Sequence, residues 1–88
     1  MYTNTWTGTG IGVAILDTGL YPHIDFGERI REFQDFLGHR PYPYDDSGHG
    51  THVAGILAGD GTASDRRYQG VAPGCHLVAA KVLDRRGN

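Results

Sequence analysis

The stretch "GVAILDTG", Gly12 to Gly19, decides the fold. With Ile11 in front, it is an apolar, β-rich run that ends at a carboxylate, a threonine and a glycine. Near-continuous apolarity over so few residues predicts a strand buried on both faces, as in a parallel sheet. In open α/β sheets, functional sites gather at the carboxyl ends of the strands. Asp17 stands at such an end and is a candidate functional carboxylate; a turn residue or helix cap would look the same.

Around this strand the rest of the chain falls into place. Met1 to Gly10 reads as a polar lead-in arm that Trp6 anchors to the body. "TGLYPHIDF" is a loop marked by Gly19 and Pro22. "RIREFQDF", Arg29 to Phe36, alternates Ile30, Glu32 and Gln34 against Arg31, Phe33 and Asp35 and predicts a second strand. "LGHRPYPYDDSG" is irregular, because two prolines forbid regular pairing. From His49 to Ala58, Val53, Ala54, Ile56, Leu57 and Ala58 predict a helix. Ser47 or Gly48 would cap its start and a left-handed Gly59 its end. "DGTASDRRYQG" is a polar loop, and "HLVAAKVL", His76 to Leu83, predicts a third strand. The order strand, strand, helix, strand is the front part of an α/β layer.

Composition narrows the possibilities. Eighty-eight residues make at most one domain, and a chain of that size buries only about 60–65 % of its unfolded surface. Eight Lys and Arg against ten Asp and Glu give a net charge of −2 without a basic stripe, which argues against a nucleic-acid partner. No apolar run is long enough to span a membrane. "MYTNTWTGTG" has no apolar core and does not read as a signal peptide. The single cysteine, Cys75, rules out an intrachain disulfide framework. It reads as a packing residue.

The second informative stretch is "DDSGHGTHVAG", Asp45 to Gly55. His49 falls at the start of the predicted helix. The partial positive charge of a helix N-terminus disfavours imidazolium and keeps a ring neutral, as a general base requires. A nearby carboxylate would do the opposite and would orient the ring. A helix-capping or core histidine is the alternative. Gly48 and Gly50 leave space for another backbone to approach.

Taken together, the two stretches are far more specific. "VAILDTG", followed 32 residues after Asp17 by the first histidine of "GHGTHVAG", closely resembles the subtilisin-like serine proteases, the subtilase family. "YQGVAPGCHLVAAKVLDRRG" resembles the segment that follows the catalytic helix in that family. The resemblance runs from about Gly10 to Gly87. It implies a partial three-layer α/β fold whose parallel strands lie in the order second, third, first. It implies that Asp17 is the triad aspartate and His49 the general base, in the family's chain order Asp, His, Ser. His52 matches a histidine that members commonly carry, here read as structural. Asp45 matches a position where relatives often hold an acidic residue near the substrate cleft. It is a candidate for substrate contact or electrostatic tuning, beside the plainer reading of a solvated loop carboxylate. Asp25, in "HIDF", resembles a calcium position of some secreted members, but "GDGTASDRRYQG" departs from the loop that supplies the other ligands. No metal or other cofactor is therefore expected here, with calcium left to a longer parent.

One triad element is missing. The only serines are Ser47 and Ser64, and neither stands in the family's Gly-Thr-Ser-Met-Ala setting. The asparagine that donates to the oxyanion also has no match. Residues 1–88 therefore read as the N-terminal part of a subtilase catalytic domain. The parent would be a serine endopeptidase acting on protein or peptide substrates, and this piece would be inactive alone. Its first strand would have a bare edge and its sheet an uncovered face, and either invites self-association. The absence of a signal peptide and the single cysteine lean towards an intracellular member, although a start cut from a longer precursor would read the same. Three rivals differ in class. A zinc helix needs two histidines four apart with a glutamate beside the first; here the spacing is three and Gly50 follows His49. A dinucleotide fingerprint follows its strand, whereas "GTGIG" precedes one. A non-catalytic homologue or regulatory fragment keeps the fold without the chemistry, and these residues do not exclude it.

Overall fold

The computed structural model describes residues 7–88; the expected Trp6 anchor lies outside them. Three parallel strands, β1 (Gly12–Asp17), β2 (Ile30–Asp35) and β3 (His76–Lys81), form one sheet in the order β1-β3-β2. This is the expected order, with the third strand in the centre. One helix, α1 (His49–Ala58), joins β2 to β3 and lies against β1. Short 3-10 turns at Ile24–Phe26 and Thr62–Ser64, neither anticipated, punctuate the loops.

Register explains the core. Val13 and Ile15 of β1 lie opposite Leu77 and Ala79 of β3, so all four share one face. On the other side of β3, Ile30 pairs with Leu77 and Phe33 with Ala79. The sequence places Ile30 and Phe33 on opposite faces of β2. A register shift between Ile30 and Glu32 corrects this. The bulge adds one residue and brings Ile30, Phe33 and Asp35 to the same side. Leu20, Phe26, Ala54, Ala58 and Cys75 complete the core, which confirms Cys75 as a packing residue.

Burial of β1 on both faces does not hold. Ile15 is buried, but Leu16 is 65 % exposed and Ala14 is exposed as well. Only the face bearing Ile15 has a layer, formed by α1, so the described residues give the sheet and one helical layer of the expected arrangement.

The helix ends differ from expectation in an informative way. Gly48 is the N-cap, with φ 93°, and Ser47 is not. Having no side chain, Gly48 leaves the first amides of α1 to partners from elsewhere. Gly59 is extended rather than left-handed. The last carbonyls of α1 find other donors: Ile56 and Leu57 accept from the amides of Val71 and Ala72, and Ala58 accepts from Arg29 Nη2 at 2.6 Å. A left-handed glycine cap is unnecessary where the returning chain supplies the donors.

The approach of α1 to β1 is close. A Cβ on Gly50 would overlap the carbonyl oxygen of Gly19, whereas a Cβ on Gly55 would meet nothing within 4 Å. Two substitutions in one helix should therefore act oppositely. Gly50→Ala should lower stability by about 3 kcal/mol through overpacking against backbone. Gly55→Ala should raise it by about 0.5–1 kcal/mol through helix propensity. Urea denaturation of both variants checks this, and a tolerated Gly50→Ala would contradict the packing described.

Candidate active site

The carboxyl ends of the strands place three ionisable residues in one row: Asp17 on β1, Lys81 on β3 and Asp35 on β2. Each is held in a different way, and the differences separate a site residue from structural ones.

Asp17 meets His49, as the sequence predicted. His49 Nδ1 lies 2.8 Å from Asp17 Oδ1 and 3.1 Å from Oδ2, and the Thr18 amide donates to Oδ1 at 2.7 Å. The aspartate side chain is only 13 % exposed, while the imidazole is 66 % exposed. Burial pushes the Asp17 carboxyl up, but the hydrogen bonds from His49 and Thr18 outweigh it and its pKa is lowered. The hydrogen bond to Asp17 and then its negative charge raise the His49 pKa, with Asp45 adding in the same direction. Asp17 thus acts on the ring in the sense opposite to the helix N-terminus. With Nδ1 committed to Asp17, Nε2 has no hydrogen-bond partner among the described residues. A ring oriented in this way can accept a proton at Nε2 and be stabilised as imidazolium.

Asp45 is half-buried, and its carboxylate is engaged within the chain. Oδ1 accepts from Thr18 Oγ1 at 2.9 Å, Ser47 N at 3.1 Å and Gly48 N at 2.9 Å. Oδ2 accepts from Thr51 N at 2.8 Å and Thr51 Oγ1 at 2.6 Å. A carboxylate offers about four lone-pair sites, so its accepting capacity is taken up inside the chain. Burial pushes Asp45 up, but these donors bring its pKa down to about 2.

Lys81 is 2 % exposed and fully partnered. Its Nζ donates to Thr18 O at 2.6 Å, Asp46 Oδ1 at 2.7 Å and Leu83 O at 2.9 Å. Asp35, 1 % exposed, accepts from Tyr44 Oη at 2.5 Å and from the amides of Leu37, Gly38 and Arg40. Burial pushes Asp35 up, but these donors hold it well below the usual carboxylate range. The same burial and the Asp35 charge push Tyr44 up to about 12. Neither Lys81 nor Asp35 has capacity left for a ligand.

Two further candidates lie apart from this pair. His52, read as structural, is exposed and faces a cavity of about 500 Å³ with Phe26, Ile56 and Tyr68. Neither Asp17 nor His49 lines that cavity, so it is not the seat of their chemistry. Asp25 Oδ1 accepts the Ala63 amide at 2.7 Å. Among the described residues no three His, Cys, Asp or Glu side chains cluster as metal ligands.

Sequence reasoning missed Thr18, Thr51, Lys81 and the Asp35–Tyr44 pair. Lys81 left a signal, as the lone charge in the apolar run "HLVAAKVL". Tyr44 left none, because its partner is set by the fold of an irregular loop.

Comparison with known proteins shows the family of the chain. Residues 8–88 match the model of the Subtilase family, peptidase S8. Serine protease AprX of Bacillus subtilis is 48 % identical over 84 residues, 96 % of this chain and 19 % of that protein. A thermostable alkaline protease of Halalkalibacterium halodurans is 44 % identical, covering 92 % of this chain and 21 % of its own length. The crystal structure of a cold adapted subtilisin-like serine proteinase superposes with a TM-score of 0.82 at 32 % identity, over 100 % of this chain and 30 % of that one. The chain belongs to the subtilase family. It spans about a fifth of the length of these two relatives.

Acid should undo the site in a defined window. Asp45 is a stronger acid when folded, about 2 against an ordinary 3.8. Its contribution to stability is present above the ordinary value and is lost as pH falls through the folded one. Asp35 is shifted in the same direction. The urea midpoint should therefore drop steeply from about pH 4 towards pH 2. Asp35→Asn should cost about 2–4 kcal/mol at neutral pH and flatten that drop. An unchanged slope in the variant would contradict the assignment.

Proposed function

We propose that Asp17 and His49 are the orienting carboxylate and general base of an Asp-His-Ser triad, in a serine endopeptidase of which this chain forms the amino-terminal part. One observation carries the reading. A histidine with Nδ1 fixed 2.8 Å from a nearly buried carboxylate presents an open ring to solvent, in a chain of a peptidase family.

The chemistry follows from that geometry. His49 Nε2 takes the proton of a serine hydroxyl as its oxygen attacks the scissile carbonyl. Asp17 stabilises the imidazolium that forms. The same proton passes to the leaving amine as the peptide C–N bond breaks and an acyl-enzyme remains. Water, deprotonated by the same ring, then releases the acid and restores the serine. The substrates are proteins or peptides.

The nucleophile comes from the longer protein. Ser64 Oγ is engaged with the Gly61 carbonyl and the Tyr68 amide, and Ser47 stands in no nucleophile setting. The 88-residue chain by itself is therefore inert. Among the described residues its β1 strand pairs with β3 alone, and Ile11 just before it and Leu16 within it are exposed. Such an edge recruits another chain, so the isolated piece self-associates. A lone buried Cys75 suits a reducing compartment, and an intracellular setting is part of the proposal.

The test uses both lengths of protein with a serine-directed phosphonate probe. The complete gene product should be labelled and should hydrolyse peptides. His49→Ala or Asp17→Asn should each lower kcat by on the order of 10⁴ or more, a magnitude taken from serine proteases with this triad. The 88-residue chain should remain unlabelled and should scatter light as a dimer or larger species. Full-length protein whose hydrolysis is indifferent to both substitutions would overturn the proposal, and full-length protein that neither labels nor hydrolyses peptides would leave the non-catalytic homologue.

A further inference from the structure

We infer that Asp45 is a positioning residue for the Asp17–His49 pair, fixing the end of β1 against the start of α1 through Thr18, Gly48 and Thr51. The inference deepens the proposed triad and rests on it.

The connections form a short relay. Thr18 follows Asp17, and Gly50 follows His49. Thr18 Oγ1 donates to Asp45 Oδ1 at 2.9 Å. With its hydrogen committed there, the same oxygen accepts the Gly50 amide at 2.9 Å. Asp45 also accepts the amides of Gly48 and Thr51, which flank His49 and Gly50. Thr51 Oγ1 donates to Asp45 at 2.6 Å and accepts the Tyr21 amide at 2.9 Å, a second tie to the chain leaving β1. One carboxylate therefore holds both segments whose separation sets the Asp17–His49 distance.

Two features make a carboxylate necessary. First, the N-cap is a glycine without a side-chain hydrogen bond. The amides of the first turn depend on Thr18 and Asp45, and His49 is the first residue of that turn. Second, every partner of Asp45 is a donor. An asparagine at this position would turn an NH₂ group towards one set of donors. Asp45 touches neither Asp17 nor the ring directly, and no acceptor site remains for a substrate. Its influence passes through geometry and charge.

The magnitude at stake is large, because a misplacement of about 1 Å in a catalytic group can lower the rate by ~10²-fold. The experiment uses the complete gene product, with active sites counted by phosphonate titration. Asp45→Asn should lower kcat per titrated site by on the order of 10²-fold with KM little changed. The acid limb of kcat/KM, which reports His49 in the free enzyme, should move to lower pH because a negative charge near the ring is lost. His49 otherwise faces Asp17 on β1, with the Lys81–Asp46 pair beyond Thr18, and none of these is altered. Thr18→Val removes the bridging hydroxyl and keeps the charge, so kcat should fall while the acid limb stays in place. This variant also serves if Asp45→Asn folds poorly. A merely structural role would reduce the number of titrated sites and leave kcat per site unchanged. That result, or an unmoved acid limb in Asp45→Asn, overturns the inference while the triad stands. Wild-type protein whose hydrolysis ignores Asp17 and His49 removes the triad and this inference together.

Discussion

A side chain on Gly50 would overlap the carbonyl oxygen of Gly19, and one on Gly19 would overlap the carbonyl oxygen of Tyr44, so the start of α1 can lie against the end of β1 only because position 50 is glycine. Gly19 sits at φ 131°, a left-handed conformation that residues with a Cβ rarely adopt. The approach brings the Gly50 amide to Thr18 Oγ1 and His49 Nδ1 to the Asp17 carboxylate. It also supplies the helix with the capping that Gly48 cannot. Separating the two elements would lose the histidine–aspartate pair and leave the Gly50 amide without its partner.

The carboxyl edge of the sheet shows how one chain keeps acidic groups for different purposes. Asp35 and Asp45 accept from four and five donors, all within the chain. Their charges are satisfied by fixed dipoles, and they hold loops and a helix start. Asp17 takes only the Thr18 amide and the ring of His49. A carboxylate left with one titratable partner can follow a change in that partner's charge; a saturated one cannot. Lys81 lies between them in register, and its three acceptors tie β3 to the chain after β1 and to Asp46. The burial of these polar groups is made tolerable by complete pairing: among the described residues no buried side-chain nitrogen or oxygen lacks a partner.

Much of this was legible in the sequence. The apolar run before Asp17 gave β1, the helical spacing from Val53 to Ala58 gave α1, and the parallel sheet order followed from the family likeness. The pairing of Asp17 with His49 came from motif and chain order together, since neither residue is decisive by itself. What could not be read depends on contacts between segments far apart in the chain. The bulge at the start of β2 reverses the face of Ile30, and alternation alone cannot reveal it. Asp45 looked like a loop carboxylate because its donors Thr18 and Thr51 are brought to it by the fold. Gly59 looked like a left-handed stop because the sequence does not show that residues 71 and 72 return to satisfy the helix. Leu16 looked buried because an apolar residue carries no record of whether a covering layer is present.

In the proposed triad Asp17 controls the protonation of His49. The most direct test is an NMR titration of the histidine ring in the 88-residue chain, beside the Asp17→Asn variant. His49 should titrate above the ordinary histidine value of 6.5 in the wild-type chain. Its pKa should fall when the carboxylate is replaced, because the hydrogen bond to the charged Asp17 and its negative charge, the main causes of the rise, are lost. Identical titration of His49 in the two proteins would contradict the pairing on which the site is built.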